Sequence, residues 1–392
     1  VIKMLNFLFF IFLVRELSIS QYGVYVLVWS QVNFFTPLLD FGTTSYGLVY
    51  MDEKKKTELN SLLSLRLVLA VVIFIATVIS GFIYTKEQTM PLYVFLTSFA
   101  VFGNVMYGSF VIIMSLRQRA YLASLYSLIF TVLLVTASSL AIFYTQSLHY
   151  VFLVIFVMYN LNAIICWFNL QHAQGSFKFT FRPGIWREIV SKSYVFVLIS
   201  FFLGVYFKID IFLLKFLKSE SEVGIYSAGY KFFESLLFII GSYNISATPQ
   251  LAKLYNESSK KFLERIKKDS IFLFSIGCVI AFCTYFIAPM LLSVVLKQSS
   301  LASAHVLQIV IISLPFMLLS AVVTNALYIL RKAHIIIYVY IAQILLNTVL
   351  NFIFIPQFSY LASAYITVLN ELLNVATLFL LFYFYKRDEN KR

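Results

Sequence analysis

A small set of ionisable side chains stands inside long apolar runs of this 392-residue chain: Asp40, Arg66, Lys208, Asp210, Lys231, Glu234 and Glu371. Charge in such surroundings is costly, so it is kept where it pairs, carries protons or holds a ligand. A carboxylate withdrawn from water can exchange a proton or hold a cation, which makes Asp40, Asp210, Glu234 and Glu371 ion-coupling candidates. The guanidinium and ammonium groups are candidates for holding an anion. Lys208 and Asp210 are two apart and point about 200° from each other on a helix, so they serve different faces. Lys208 shares a stripe with Phe212 and Lys215, which puts two ammonium groups on one face. That stripe either meets an anionic group of a ligand, or Lys208 snorkels outward or pairs with a carboxylate of the next span. Lys231 and Glu234 are three apart, within helical pairing distance, so a self-satisfied ion pair is expected, with Glu234 as the alternative proton site. Asp40 lies between Pro37 and Gly42, where the helix should bend. There it either caps freed backbone groups or exchanges protons. Arg66 sits two turns into its span, placed to meet a phosphate or to snorkel to the interface. Arg15 ends the first apolar run with Glu16 beside it.

Two polar stripes lie further on. Gln343, Asn347 and Asn351 recur at every fourth residue, and Thr367, Glu371 and Asn374 fall at i, i+4 and i+7, so each set defines one helical face. Uncharged amides suit sugar hydroxyls in a wet cavity, and they equally bond neighbouring helices within a membrane. No GxSxG, Walker A or HExxH pattern occurs, so the motif case for a hydrolase or an ATP-driven pump is missing. Cys166, Cys278 and Cys283 lie in apolar runs, and His149, His172, His305 and His334 are scattered. Neither metal nor cofactor is expected, and no enzymatic activity.

The elements that position these residues follow from composition. Hydrophobic residues make up 61% of the chain and charged ones 12%, with a mean hydropathy of +0.89. Such a chain is an integral membrane protein whose partner is the bilayer. Apolar runs of about 20 residues separated by charged or Gly/Pro-containing breaks give twelve candidate transmembrane helices. The first is short, and the chain opens with Val, so residues are expected to be missing before it or Val1 to mark an alternative start. It reads as a retained span, because no small-residue cleavage site precedes Arg15. Lys and Arg number 30 against 17 Asp and Glu, a net charge of +13. Most of the basic residues fall on the side of the membrane that holds both ends of an even-numbered bundle. Both termini are therefore expected to be cytoplasmic. The basic excess reports orientation, and no nucleic-acid partner is expected.

A repeat organises the twelve spans. RELSISQYGVYVLVWSQVNFF follows the first span, and FLKSESEVGIYSAGYKFFESLL follows the seventh, so that Gly23 matches Gly224 and Tyr25 matches Tyr226. The basic stretch DEKKKTEL recurs as SKKFLERIKKD, and the turn SLRQRA recurs as LRKA. Two six-helix bundles of the same orientation are expected, over residues 1–171 and 190–392, joined by a cytoplasmic linker at 172–189.

RELSISQYGVYVLVWSQVNFFTPLLDFG, the Lys208–Asp210 triplet and EVGIYSAGYKFFE resemble the polysaccharide-transport branch of the MOP exporter superfamily, whose known members are Wzx-type O-antigen and capsule flippases. The resemblance extends over the whole chain in span number and repeat layout. It implies an all-α, MATE-like membrane fold in the bacterial cytoplasmic (inner) membrane. It also implies a substrate, an undecaprenyl-pyrophosphate-linked oligosaccharide that crosses by alternating access, with a polysaccharide polymerase and a chain-length regulator as partners. On this reading Arg15, Arg66, Lys208, Lys215, Lys231, Gln343, Asn347 and Asn351 are the candidates for pyrophosphate and sugar, because several sugars and a pyrophosphate cannot cross hydrocarbon unaided.

Two other classes compete. A cation-coupled, MATE-like exporter of small amphiphilic molecules would use the same fold, with Asp40, Asp210 and Glu371 as ion sites. A membrane-bound polysaccharide polymerase or ligase would need a large catalytic loop, and the loops on the far side are too short to supply one. MurJ-type lipid II flippases carry two further C-terminal spans, which this layout is not expected to match.

Overall fold

The computed structural model describes residues 1–51, 56–84, 89–174, 177–296 and 300–389. Lys54, Lys55, Lys86, Lys297, Lys391 and Arg392, which belong to the expected charge pattern, lie outside the described residues. Among those described, all regular structure is helical. The chain runs through α1 (Ile2–Glu16), α2 (Ile19–Asp40), α3 (Thr43–Tyr50), α4 (Lys56–Tyr84), α5 (Thr89–Ser98), α6 (Ala100–Leu116), α7 (Ala120–Thr145) and α8 (Leu148–Gln174). It continues through α9 (Pro183–Leu217), α10 (Glu220–Leu236), α11 (Phe238–Glu257), α12 (Ser259–Val295), α13 (Ser300–Val310), α14 (Leu314–Ile329), α15 (Ala333–Phe358) and α16 (Tyr360–Glu389), with a 3-10 turn at Ile311–Ser313 between α13 and α14.

Ten stretches among the described residues are long and apolar enough to cross a membrane. The two N-terminal spans of the expected twelve differ: α1 has 15 residues, and the second span is divided between α2 and α3. The outward faces are apolar. Val68, Val72, Ile75, Ile79 and Phe82 form an exposed stripe on α4, and Phe272, Val279, Phe282, Phe286 and Met290 are exposed on α12. Many of the polar side chains point inward instead, as they must when the surrounding solvent is hydrocarbon.

The repeat read from the sequence is reproduced in backbone detail. After α6, Arg119 N–H bonds the Met114 carbonyl at 2.7 Å and Gln118 N–H bonds Ser115 at 2.9 Å; after α14, Lys332 N–H bonds Leu327 at 2.9 Å and Arg331 N–H bonds Tyr328 at 3.0 Å. Gln118 and Arg331 both take positive φ, 58° and 57°, which lets the chain close the helix C-terminus and reverse within three residues. Helix starts also repeat. Ser18 Oγ accepts from Gln21 N–H at 3.3 Å while Gln21 Oε1 accepts from Ser18 N–H at 3.0 Å. Ser219 Oγ accepts from Glu222 N–H at 3.4 Å in the matching position, the S-x-x-E/Q capping pattern.

Helices are interrupted at corresponding spans. The second is broken at Phe41–Gly42, which have φ of 43° and 67°, and the eighth at Leu237. The fourth is broken at Phe99 and the tenth at the 3-10 turn. Paired interruptions of this kind mark where a transporter builds its sites.

The chain packs as two compact units, Val1–Leu17 with Val24–Lys208, and Ser18–Gly23 with Ile209–Arg392. In the first, α6 and α8 pack closely, and Asn162 ties three helices by accepting from Tyr126 OH at 2.7 Å and donating to the Gly103 carbonyl at 3.2 Å. In the second, α12 packs against α13 and α14, and α15 against α16. Within the stretch 172–189, Thr180 N–H bonds Ser64 Oγ and Trp186 Nε1 bonds the Ser61 carbonyl, both at 2.9 Å. The boundary between the two units falls inside α9.

Candidate functional site

Each unit holds a polar centre built around an intramembrane carboxylate. In the first unit the break after α2 leaves the first N–H groups of α3 without helical partners. Asp40 Oδ1 supplies one, accepting from Thr44 N–H at 3.3 Å, and also accepts from the Thr43 and Thr44 hydroxyls. Arg66 of α4 completes the cluster. Its Nη1 donates to Asp40 Oδ1 at 3.1 Å, Thr43 Oγ1 at 2.7 Å and Thr44 Oγ1 at 2.9 Å. Arg66 is 2% exposed, and room for it comes from Gly108 of α6, where an added Cβ would lie 2.2 Å from Nη2. Asp40 therefore caps the kink and neutralises Arg66. The guanidinium turns inward to the kink and not to the membrane interface, because three acceptors are gathered there.

The second unit is different in kind. Asp210 of α9 is 5% exposed and accepts from Asn351 Nδ2 at 3.0 Å and Tyr226 OH at 3.0 Å. The Thr367 hydroxyl lies 3.2 Å from Asp210 Oδ2 and 2.9 Å from the Ser363 carbonyl, with one hydrogen to share. Asn351 Nδ2 also reaches Asn347 Oδ1 at 2.9 Å, and Asn351 Oδ1 accepts from Ser363 Oγ at 2.8 Å. Among the described residues no ion pair forms on Asp210, so its charge is met by neutral groups alone. Carboxylate, amide and hydroxyl oxygens from α9, α10, α15 and α16 thus converge with a single formal charge. That donor set suits a proton or a hard monovalent cation.

The other charged candidates are mostly spoken for. Lys215 forms an ion pair with Glu220, and Lys231 pairs with Glu234 at 2.7 Å, as its spacing suggested. Arg15 is exposed, and Lys208 is half-buried with a partner. Gln343, Asn347 and Asn351 form one buried face of α15, and Glu371 is buried on α16 with Asn374 Nδ2 3.5 Å from its Oε2. Asn347 and Asn351 join the Asp210 centre, whereas Gln343 packs toward Asn370, whose Nδ2 is 3.4 Å from the Gln343 carbonyl.

Sequence reasoning missed Thr43, Thr44, Ser363 and Asp269, and it named Tyr226 only as part of the repeat. Ser363 lies four residues before Thr367 and so extends a stripe already visible. Asp269, hidden in a basic run, is 8% exposed and accepts from Tyr243 OH at 3.1 Å beside Arg265 Nε at 2.9 Å. Among the described residues no cluster of His, Cys, Asp and Glu could hold a metal ion.

A family model described as polysaccharide biosynthesis protein matches residues 1–255, which is most of the chain. The chain belongs to this polysaccharide biosynthesis family. A MatE model also matches this family member over residues 196–353. Solved structures agree in fold. An inward-facing multidrug resistance MATE family transporter of the MOP superfamily aligns with a TM-score of 0.80 at 13% identity, covering 100% of this chain and 96% of that one. The lipid II flippase MurJ in an inward closed conformation aligns at 0.74 and 12% identity, covering 97% and 85%. A MOP superfamily transporter from Pyrococcus furiosus aligns at 0.67 and 14%, covering 98% and 92%. No curated protein matches the sequence significantly. The polysaccharide biosynthesis family member is thus a multi-pass membrane protein with the fold of the MOP superfamily transporters.

Proposed function

We propose that the protein moves an undecaprenyl-pyrophosphate-linked oligosaccharide, an O-antigen or capsule repeat unit, across the bacterial cytoplasmic membrane by alternating access. The match to the polysaccharide biosynthesis family over residues 1–255 carries the substrate class. The twelve spans act as two six-helix bundles with both termini cytoplasmic. Drive comes from the Asp210 centre, whose oxygens take up a proton or an alkali cation in one state and release it in the other. Lys208, two helical turns from Lys215 on α9, is assigned to the pyrophosphate, and the amides of α15 to the ion and the sugars. Arg66, Lys215 and Lys231 hold carboxylates of their own, so they act as fixed structure and not as substrate anchors.

A second reading, a cation-coupled exporter of small amphiphilic molecules, is favoured by the MatE match over 196–353, the segment that contains Asp210 and the amide face of α15. One experiment separates the two. In a gene deletion strain, surface polysaccharide is scored together with sensitivity to cationic dyes, and the strain is complemented with wild type, Asp210→Asn or Lys208→Ala. The flippase reading expects polysaccharide to be lost and restored by wild type alone. Intact polysaccharide with dye sensitivity would replace it by the exporter. Full restoration by Lys208→Ala would remove that residue from the substrate contact.

A further inference from the structure

Between α8 and the early turns of α9 the chain reads FKFTFRPGIWREIVSK, residues 177–192, and one side of this segment is fixed to the first unit. Phe177 N–H bonds Gln171 Oε1 at 2.9 Å, and its ring meets Trp167 edge-on with centroids 5.3 Å apart. Thr180 and Trp186 are bonded to Ser64 and Ser61 of α4. Ile185, Trp186 and the fully buried Ile189 join the apolar core of the same unit. The other side is open. Phe179 and Phe181 are 60% and 62% exposed, with Phe181 edge-on to Trp186 at 4.7 Å, and Lys178, Arg182 and Arg187 are exposed beside them. Among the described residues none of these three cations forms an ion pair, whereas Lys192 is held by Glu188 at 2.7 Å and lies over the Tyr46 ring.

The depth of the segment follows from its anchors. α4 has 29 residues and begins at Lys56, so its length of about 43 Å matches a bilayer with its headgroups. Ser61 and Ser64 lie about 7 and 12 Å along it, which sets Trp186 and Thr180 at and just inside the boundary between headgroups and hydrocarbon. Exposed phenyl rings are favoured at that boundary, and cations beside them reach the phosphates above. We propose that residues 177–187 are a binding site for anionic phospholipid, with Phe179 and Phe181 among the upper acyl carbons and Lys178, Arg182 and Arg187 on the headgroup phosphates. Charge decides the occupant. Residues 177–187 hold three cations and no carboxylate, which complements an anionic leaflet, whereas a neutral lipid would cover the rings and leave the charges unanswered. Bound headgroups hold the segment on α4, where Ser64 stands half a turn before Arg66. Leaflet charge thus contributes to the stability of the first unit.

The test titrates the purified full-length protein in neutral detergent with phosphatidylglycerol or phosphatidylcholine, following lipid adducts by native mass spectrometry and the thermal midpoint. Phosphatidylglycerol should bind and raise the midpoint, less so as salt is added, and phosphatidylcholine should not raise it. Lys178→Gln with Arg182→Gln and Arg187→Gln should weaken the apparent affinity by about tenfold or more. Lys260→Gln with Lys267→Gln and Lys268→Gln, which removes the same charge from exposed positions on α12, should leave it nearly unchanged. Phe179→Ser should weaken binding through the acyl contact alone. None of these side chains makes a docking bond, so a lipid-free midpoint equal to that of the wild type shows that each variant folds. Undiminished affinity in the first triple variant would overturn the site, as would an equal loss in both, which would reduce it to net charge. Displacement of the lipid by inorganic phosphate at matched ionic strength would make it a site for soluble anions, and a dimer that Phe179→Ser dissolves would make the face a contact between copies; either result overturns the proposal. No transported substrate takes part, so the outcome is independent of the flippase reading.

Discussion

Replacing Gly108 by alanine tests whether the first centre is a fixed ion pair. The new Cβ would stand 2.2 Å from Arg66 Nη2, where ordinary contact begins at 3.4 Å. Because Gly108 lies in the middle of α6, the guanidinium must retreat by about 1.2 Å. The Nη1 contacts of 2.7, 2.9 and 3.1 Å would then open past hydrogen-bonding distance. Separating a buried pair costs about 3–5 kcal/mol when the charges stay uncompensated. The Asp40 side chain is 42% exposed, so screening lowers this, and a loss of about 2 kcal/mol is expected. Thermal unfolding of the purified protein in detergent would show it as a lowered midpoint. The control is the same alanine in an Arg66→Met, Asp40→Asn background, where the methyl meets a flexible neutral chain and should cost about 0.5 kcal/mol or less. An equal penalty in both backgrounds, or none in either, would refute the assignment of Arg66 and Asp40 as a fixed pair.

The remaining predictions concern the other polar groups. Asp210→Asn should abolish any cation-dependent stabilisation against thermal unfolding, which in the wild type should reach about 2.7 kcal/mol at a hundredfold excess over Kd. Glu234→Gln should leave the pH and ion dependence of transport unchanged, because its carboxylate is held by Lys231 at 2.7 Å; an altered pH profile would make it a proton site after all. Asp269→Ala should destabilise the second unit by about 1 kcal/mol, because the Arg265 left behind is 38% exposed and screened by solvent, whereas Asp269→Asn, which still accepts from Tyr243, should cost less in the same assay. Ser219→Ala should cost about 1 kcal/mol through the lost cap on α10.

Much of the fold was legible because a bilayer enforces simple rules. Apolar length set the spans, and the matched strings around Gly23 and Gly224 set the repeat, down to the turns at Gln118 and Arg331. The pair Lys231–Glu234 was readable because both partners lie on one helix, where spacing is a distance. The pair Arg66–Asp40 was not, since its partners are 26 residues apart and meet only because a helix breaks at Phe41–Gly42. Asp210 was singled out for its setting, but its contacts come from α10, α15 and α16. No local pattern reports which faces of three distant helices converge. The basic run around Asp269 hid it for a related reason: net charge averages away one buried carboxylate among many lysines. The bend expected between Pro37 and Gly42 is a full break, which divides the second span between α2 and α3.

The two centres show how a repeated scaffold can hold two roles. Both halves interrupt the same spans, and both keep a carboxylate within the apolar zone, yet the counter-charge differs. Asp40 has an arginine in contact, so taking up a cation there would set two positive charges side by side. Asp210 has hydroxyl and amide partners, each of which can turn an oxygen toward a cation or a hydrogen toward the carboxylate at little cost. A site that must exist both filled and empty needs that second kind of partner, since a fixed ammonium or guanidinium stabilises only the empty state. On the proposed function, exchange falls to the second unit, and the first supplies a kink held by its own ion pair. Tyr226 joins Asp210 to α10, so a change of charge on that carboxylate would bear directly on this helix.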